Sequence, residues 1–264
     1  MHGRFTATQH RSRALIAVDC RALIARAAGV FCPACKEANM KKRILGRGLA
    51  VTLALALSTM LLAAAIHIPA TASWVMLPLM EHYAPPEDTH LPAEEYIPMV
   101  SMIVHYLQGH IDTFQHIYTV DGAEYAAFNA KEQHHMADVQ ALFRLCARIG
   151  LAASSAVILL SLLAKRLSWR AFRRTLLVVL GAVTAVIILA CIDFDSLFVL
   201  FHKVAFTNDL WLLNPQTDLL IRLMPIEFFV SYAAIIGGIW LLGMTGLLIF
   251  ATYRIKKLKA NEGE

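Results

Sequence analysis

Residues 175–192, TLLVVLGAVTAVIILACI, contain no charged side chain. At 1.5 Å rise per residue these 18 residues form a helix roughly 27 Å long, close to the hydrocarbon thickness of a bilayer. Arg170, Arg173 and Arg174 precede the run and Asp193 follows it. An apolar run of this length, with charge at both borders, reads as a transmembrane helix, and the rest of the chain is interpreted around it.

Working outward, residues 49–68, 149–164 and 228–251 carry three more apolar runs. The second is short, but residues 142–147 extend it, and Arg148 and Lys165 can snorkel toward the two surfaces. The chain has 264 residues, 58% of them hydrophobic, and a mean hydropathy of +0.57. Those values exclude an ordinary soluble domain. The expected fold is an all-α membrane protein: four transmembrane helices spanning residues 40–259, an extracytoplasmic, partly helical cap inserted at about 69–146, and a short tail over 260–264.

Lysine and arginine set the orientation. Lys41, Lys42, Arg43 and Arg47 precede the first span; Lys165, Arg166, Arg170, Arg173 and Arg174 separate the second from the third; Arg254, Lys256, Lys257 and Lys259 follow the fourth. The positive-inside rule places these clusters and both termini in the cytoplasm. Residues 67–146 hold ten acids against only Lys131 and Arg144, so they belong outside, together with residues 201–229. The net charge of +5 is therefore a topological signal and gives no reason to expect nucleic acid as a partner.

Met40-Lys41-Lys42-Arg43 ahead of an apolar run reads as a natural membrane-protein start, which makes residues 1–39 an extension from an upstream start codon. Cys32-Pro33-Ala34-Cys35 is one CxxC with no second ligand pair, too little to argue a metal or redox site. Cys146 and Cys191 read as small apolar residues.

The outer connection is too long to be structureless. Pro69, Pro78, Pro85, Pro86 and Pro92 argue against one continuous helix in its first part, and Trp74 suits the lipid interface. Residues 94–107 read as an amphipathic helix, with acids ahead of Pro98 and Gly109 as its stop. Another helix starts near Asn129 and runs into the second span.

On that helix Glu132, His135 and Asp138 recur every three residues and form a polar ridge. A carboxylate beside a histidine fixes its tautomer and raises its basicity, as a general base requires. The same spacing also fits a solvated outer face. His202 sits among Phe198, Val199, Phe201 and Phe206, where a lone histidine is commonly a satisfied core residue. Asn208, Asp209, Asn214, Thr217 and Asp218 follow within one loop, where the lipid boundary makes polar groups costly unless they pair. Asn214-Pro215 reads as a helix start that buries Leu219, Leu220 and Leu223, and Pro225 with Glu227 starts the last span.

Residues 132–139, EQHHMADV, residues 201–218, FHKVAFTNDLWLLNPQTD, and residues 225–229, PIEFF, resemble a bacterial family of four-span integral membrane proteins that includes the lipoprotein intramolecular transacylase. The similarity covers residues 40–259 in layout. It implies acyl transfer within a diacylglyceryl-cysteine lipoprotein, from the sn-2 ester to the cysteine α-amine, giving a lyso-form N-acyl product. It also implies a bacterial cytoplasmic membrane location, membrane lipid as a further partner, and no cofactor. The family's paired outer-face histidines fall on His135 and His202. We assign His135, supported by Glu132 or Asp138, as base and His202 as acid or oxyanion donor, with the roles open to exchange. Asn208 and Asp209 are oxyanion or orienting candidates, and Trp211 and Asp218 are substrate-binding candidates. No acyl-enzyme is required when amine and ester share one molecule, and neither block holds a G-x-S-x-G elbow or a cysteine.

Three other readings compete. Eight histidines lie within residues 67–135, but no H-E-x-x-H occurs, so no metal is assigned. Haem ligation needs histidines deep in the spans, and only His67 touches one. The third is a non-catalytic cap that binds a partner, with the polar block acting only as a latch.

Overall fold

The computed structural model describes residues 33–261, with side chains from Lys36 onward. The side chains of the Cys32–Cys35 motif, and most of residues 1–39, lie outside the described residues. In chain order the elements are α1 (Pro33–Ala70), α2 (Ser73–Tyr83), α3 (Pro86–Thr89), α4 (Tyr96–Leu107), β1 (Ile117–Val120), β2 (Ala123–Ala126), α5 (Ala130–Ser161), α6 (Trp169–Ile192), α7 (Phe194–Ala205), α8 (Leu219–Leu223) and α9 (Ile226–Asn261), with 3-10 turns at Ala93–Glu95 and Ala164–Arg166.

Helices α1, α5, α6 and α9 are long and apolar enough to cross a membrane, so this is a multi-pass membrane protein of mostly helical structure. They contain the four expected runs, except that α5 stops at Ser161 rather than Ala164, where the chain already reverses. α1 packs on α5, α6 and α9, and α9 packs on α6. A Cβ added at Gly150 of α5 would lie 2.9 Å from the Cβ of Ala63 on α1. Such small-residue contacts bring membrane helices together through packing, because lipid supplies no hydrophobic drive between them. Leu53, Phe172, Leu176, Trp240 and Met244 fill the interior, whereas Leu151, Val178 and Leu242 point outward at 73%, 71% and 76% exposure. That apolar exterior is the surface a bilayer covers.

The three basic clusters gather at one end of the bundle. Ser168 N–H donates to the Gly46 carbonyl at 3.0 Å, tying the α5–α6 turn to the start of α1. Trp169 of α6 rests edge-on against Phe250 of α9, under the Arg254 guanidinium.

At the opposite end the inserted segment forms the cap. Met76 and Met80 of α2, Met99 and Ile103 of α4, and Leu220 and Leu223 of α8 share one core. The segment is broken as expected, α1 and α2 parting at Thr71–Ala72 and α2 and α3 at Ala84–Pro85, but Pro69 and Pro78 lie inside α1 and α2 rather than at the breaks. Pro98 falls in the first turn of α4, where its missing N–H costs nothing, and Gly109 beyond the far end has φ +76°.

Two features depart from the sequence reading. β1 and β2 form an antiparallel hairpin closed by Asp121 and Gly122 at φ +52° and +79°. This is a two-residue turn whose positive-φ residues match the right-handed twist of the paired strands, and Asp-Gly between Thr119-Val120 and Ala123-Glu124 was its signal. The second concerns the helix expected to start at Asn214-Pro215. It starts at Leu219, because Asn214 closes a separate turn, accepting the Gln216 N–H on its side chain and the Asp218 N–H on its carbonyl. Leu219, Leu220 and Leu223 are buried as expected.

Candidate active site

The site grows from the first turns of α5. Asn129 caps the helix: its side chain accepts the Glu132 N–H at 3.1 Å while Glu132 Oε2 accepts the Asn129 N–H at 2.8 Å, a reciprocal capping box. Glu132 Oε1 reaches further, accepting the Leu220 N–H at 2.6 Å, so one carboxylate with 1% exposure fastens α5 to α8. Asp218 does similar work from the loop side. Its Oδ1 accepts from Asn129 Nδ2 and the Thr217 hydroxyl, both at 2.9 Å, and its Oδ2 accepts the Asn214 N–H at 2.7 Å. Burial alone would raise the Asp218 carboxyl, but the Asn214, Thr217 and Asn129 donors hold it below its usual value. Lys131 Nζ donates to the Leu212 carbonyl.

His135 follows Glu132 by three residues, so it shares that face of α5. It is 7% exposed, and its Nδ1 is buried with no hydrogen-bond partner among the described residues. His202 comes from α7, a helix turned inside out relative to a soluble one. Leu200, Phe201 and Val204 lie on its exposed side, while Phe198 and His202, four residues apart, face inward. The His202 Nδ1–H donates to the Phe198 carbonyl at 2.7 Å. A carbonyl only accepts, so in the neutral ring Nε2 keeps its lone pair.

The two imidazole centroids lie 6.1 Å apart. Phe206 stands edge-on to His135 at 5.3 Å, and Trp211 lies tilted against His202 at 5.0 Å. These aromatic rings help bury both imidazoles, which are 7% and 8% exposed. Burial accordingly pushes the His202 ring below its ordinary value, with the Phe198 carbonyl opposing.

The loop after α7 completes the enclosure. Asn208 Nδ2 donates to Asp138 Oδ2 at 2.8 Å, while its Oδ1 accepts the Leu210 N–H at 3.1 Å. Outside this lies a groove of about 610 Å3 bordered by Lys203, Phe206, Asn208, Asp209, Trp211 and Leu212. Phe206 and Trp211 therefore separate the groove from the two histidines. Asp209 is exposed at the rim.

The expected ridge exists, but it is not a solvated face, because Glu132 and His135 are both buried. The structure brings His135, His202 and Trp211 together, with Asp138 and Asn208 hydrogen-bonded to each other beside them. Glu132 and Asp218 meet donors of the protein's own backbone and side chains. Sequence reasoning placed a helix start near Asn129 but did not single out its capping role, the Phe198 carbonyl or Lys131. Two had a readable signal: a helical histidine can donate back to the carbonyl four residues earlier, and Asn129-x-x-Glu132 is a capping-box spacing.

The family model for the lipoprotein intramolecular transacylase, Lit, matches residues 51–229. Comparison with curated protein sequences gave no match. Among solved structures, the membrane-integral Lit of Bacillus cereus aligns with a TM-score of 0.70 at 21% identity, covering 82% of this chain and 98% of that one. A histidine-to-arginine variant of that protein aligns with a TM-score of 0.69 at 18% identity, covering 86% and 99%. At such identities the structures speak for the fold, and the family model, which spans most of the chain, for the family. The chain belongs to the lipoprotein intramolecular transacylase family, a family of acyltransferases.

Proposed function

We propose that the transferred acyl chain moves from the sn-2 ester of a diacylglyceryl-cysteine to the α-amine of the same cysteine, and that His135 and His202 carry the protons. The observation that supports this most is a pair of buried imidazoles, 6.1 Å apart, one of which has its Nε2 lone pair free while Nδ1 is tied to a carbonyl.

The substrate amine arrives as an ammonium. One proton leaves to His202 Nε2, which frees the nitrogen lone pair to attack the ester carbonyl. The tetrahedral intermediate collapses as the N–C bond stays and the C–O bond to the sn-2 oxygen breaks. That alkoxide takes up the second nitrogen proton, passed through His135, and the amide keeps the last N–H. The first proton goes to solvent, so the balance is amide, free hydroxyl and one released proton. The Phe198 hydrogen bond supports giving the base role to His202, the exchanged form of the assignment made from sequence. Two imidazolium rings at this distance in a dry site repel, which favours one proton shared across the pair.

The second Nδ2 hydrogen of Asn208 is a candidate oxyanion donor, while its bond to Asp138 fixes its direction. Asp209 at the rim offers a carboxylate to the incoming ammonium, and Trp211 positions the His202 ring. Glu132 and Asp218 act as latches. No acyl-enzyme forms, because amine and ester already lie in one molecule.

This chemistry belongs on the outer face of a bacterial cytoplasmic membrane, and the basic clusters at the far end of the bundle support that orientation. An Asp121→Cys variant in intact spheroplasts should react with a membrane-impermeant maleimide; labelling only after lysis would reverse the topology.

The deciding experiment is tandem mass spectrometry of the N-terminal lipopeptide of an abundant lipoprotein, from bacteria lacking the protein or carrying it as wild type or His202→Ala. Wild type should shift one acyl chain onto the amine and His202→Ala, at equal abundance, should not. An unshifted diacylglyceryl-cysteine with correctly inserted wild-type protein would overturn the reading.

A further inference from the structure

The basic end of the bundle holds a cavity that the acyl-transfer chemistry does not use. Arg170, Arg173 and Arg174 from the start of α6 and Thr252, Lys256 and Lys259 from the end of α9 enclose about 270 Å3. Five cations converge there, and no carboxylate lines the cavity. Lys41 pairs with Glu37 within α1, away from the cavity. Arg173 Nε is buried with no hydrogen-bond acceptor among the described residues.

Convergent cations repel one another, and a buried guanidinium N–H calls for an acceptor, so a lining of this kind favours an anionic guest. A positioning change cannot relieve the repulsion cheaply. Trp169 is held edge-on by Phe172 and Phe250 at 5.6 and 5.5 Å, and Arg254 covers its ring at 4.9 Å, which pins the two helix ends together. The ligand that relieves it carries several acceptor oxygens and a negative charge.

We propose that this cavity binds the phosphate of an anionic phospholipid headgroup. The phosphate oxygens accept from the guanidinium forks of Arg170 and Arg173, with Lys256 and Lys259 closing the field from α9. A lipid is the source because of what borders the cavity. Ile249, Phe250, Leu177 and Val178 are exposed at 66%, 48%, 50% and 71% on the same two helices, an apolar track along which the acyl chains of the bound molecule lie. Trp169 beside them sits at the level where interfacial aromatics collect. The site is separated from the histidines by most of the length of α5, about 40 Å of helix, so it is distinct from the acyl-transfer centre.

The test is native mass spectrometry of the full chain released from vesicles that contain phosphatidylglycerol and phosphatidylcholine. The wild type should retain phosphatidylglycerol in preference to phosphatidylcholine. Arg170→Gln with Arg173→Gln should weaken that retention roughly tenfold, from the loss of two cations near the surface. Lys41→Gln with Lys42→Gln removes the same charge from the same end but outside the cavity, and should leave retention near wild type. If the double arginine variant does not accumulate, Arg170→Gln alone, at an exposed position, gives the same comparison with a smaller loss. Equal retention of the two lipids overturns the proposal, as does an equal loss in the lysine variant, which would mean diffuse charge rather than a site. Retention of added inorganic phosphate without any preference for phosphatidylglycerol overturns the lipid assignment.

Discussion

The two ends of the bundle solve the problem of charge in opposite ways. At the cap end, carboxylates are taken out of water and each oxygen is given to a named donor, as Glu132 is to Asn129 and Leu220, and Asp218 to Asn129, Asn214 and Thr217. At the basic end, five cations face one cavity with no described carboxylate among them. Internal pairing makes the cap end rigid, which the site of an acyl transfer needs, since misplacement by about 1 Å costs a large factor in rate. The basic end gains nothing from such rigidity and is suited to partners from the membrane. If this contrast is right, damage at the cap end should appear in catalysis or stability, while damage at the basic end should appear in lipid retention.

The largest effect is expected at the histidines. His135→Ala and His202→Ala should each lower the acyl-transfer rate about a thousandfold. The double variant should fall little further, because residues that act as one unit are not additive. Rates measured on a synthetic diacylglyceryl lipopeptide decide this. Two independent, multiplying losses would break the shared-proton picture.

The latch comes next. Glu132→Ala leaves the Asn129 and Leu220 N–H groups without their acceptors and should cost about 3 kcal/mol of stability, read as a lower thermal midpoint in detergent. Glu132→Gln retains one acceptor oxygen and should cost clearly less. If Glu132→Ala instead removes activity at unchanged stability, the carboxylate belongs to the chemistry and the division between latch and site collapses.

How much of this was readable beforehand follows from the range of the interactions involved. The spans were readable because lipid imposes a continuous local signal, and residues 175–192 need no distant partner to be understood. The pairing of His135 with His202 came from resemblance, since 67 residues separate them and no periodicity links them. The latch was opaque for a related reason: Glu132 on a helix face looks solvated until the Leu220 N–H is brought to it by the fold of the intervening loop. The Asp-Gly hairpin, in contrast, was a local signal that the apolar patterning overshadowed.

The pH dependence sharpens the same contrast. Burial lowers the His202 pKa below its ordinary 6.5, so the ring stays neutral and able to accept a proton further into acid than a free histidine would. The rate should therefore be flat across neutral pH, with its acid limb centred below 6.5. Trp211→Ala admits water to the ring and should move that limb upward toward 6.5. The same shift bears on stability. The folded protein binds this proton less readily than the unfolded chain, so His202 begins to cost stability as pH falls below 6.5, and the cost is complete below the folded value. An acid limb that stays put in Trp211→Ala would mean that the neighbouring indole does not set the dielectric around His202.

The smallest effect separates backbone conformation from packing, and glycine is the right probe because the two ends of its range occur in one molecule. A Cβ at Gly122 would meet nothing within 4 Å, yet its φ is +79°; a Cβ at Gly150 would meet Ala63 at 2.9 Å with no such backbone demand. Gly122→Ala should thus cost about 1 kcal/mol through the left-handed turn alone. It should leave the acyl-transfer rate unchanged, since the hairpin contributes no residue to the histidine pair or the groove. Gly150→Ala pushes α5 from α1 along the helix that carries His135, so any cost there should reach the rate as well as the thermal midpoint. Measuring both quantities for both variants tests whether the site is held by the bundle or by the whole cap: a rate loss in Gly122→Ala would extend the working part of the cap to β1 and β2.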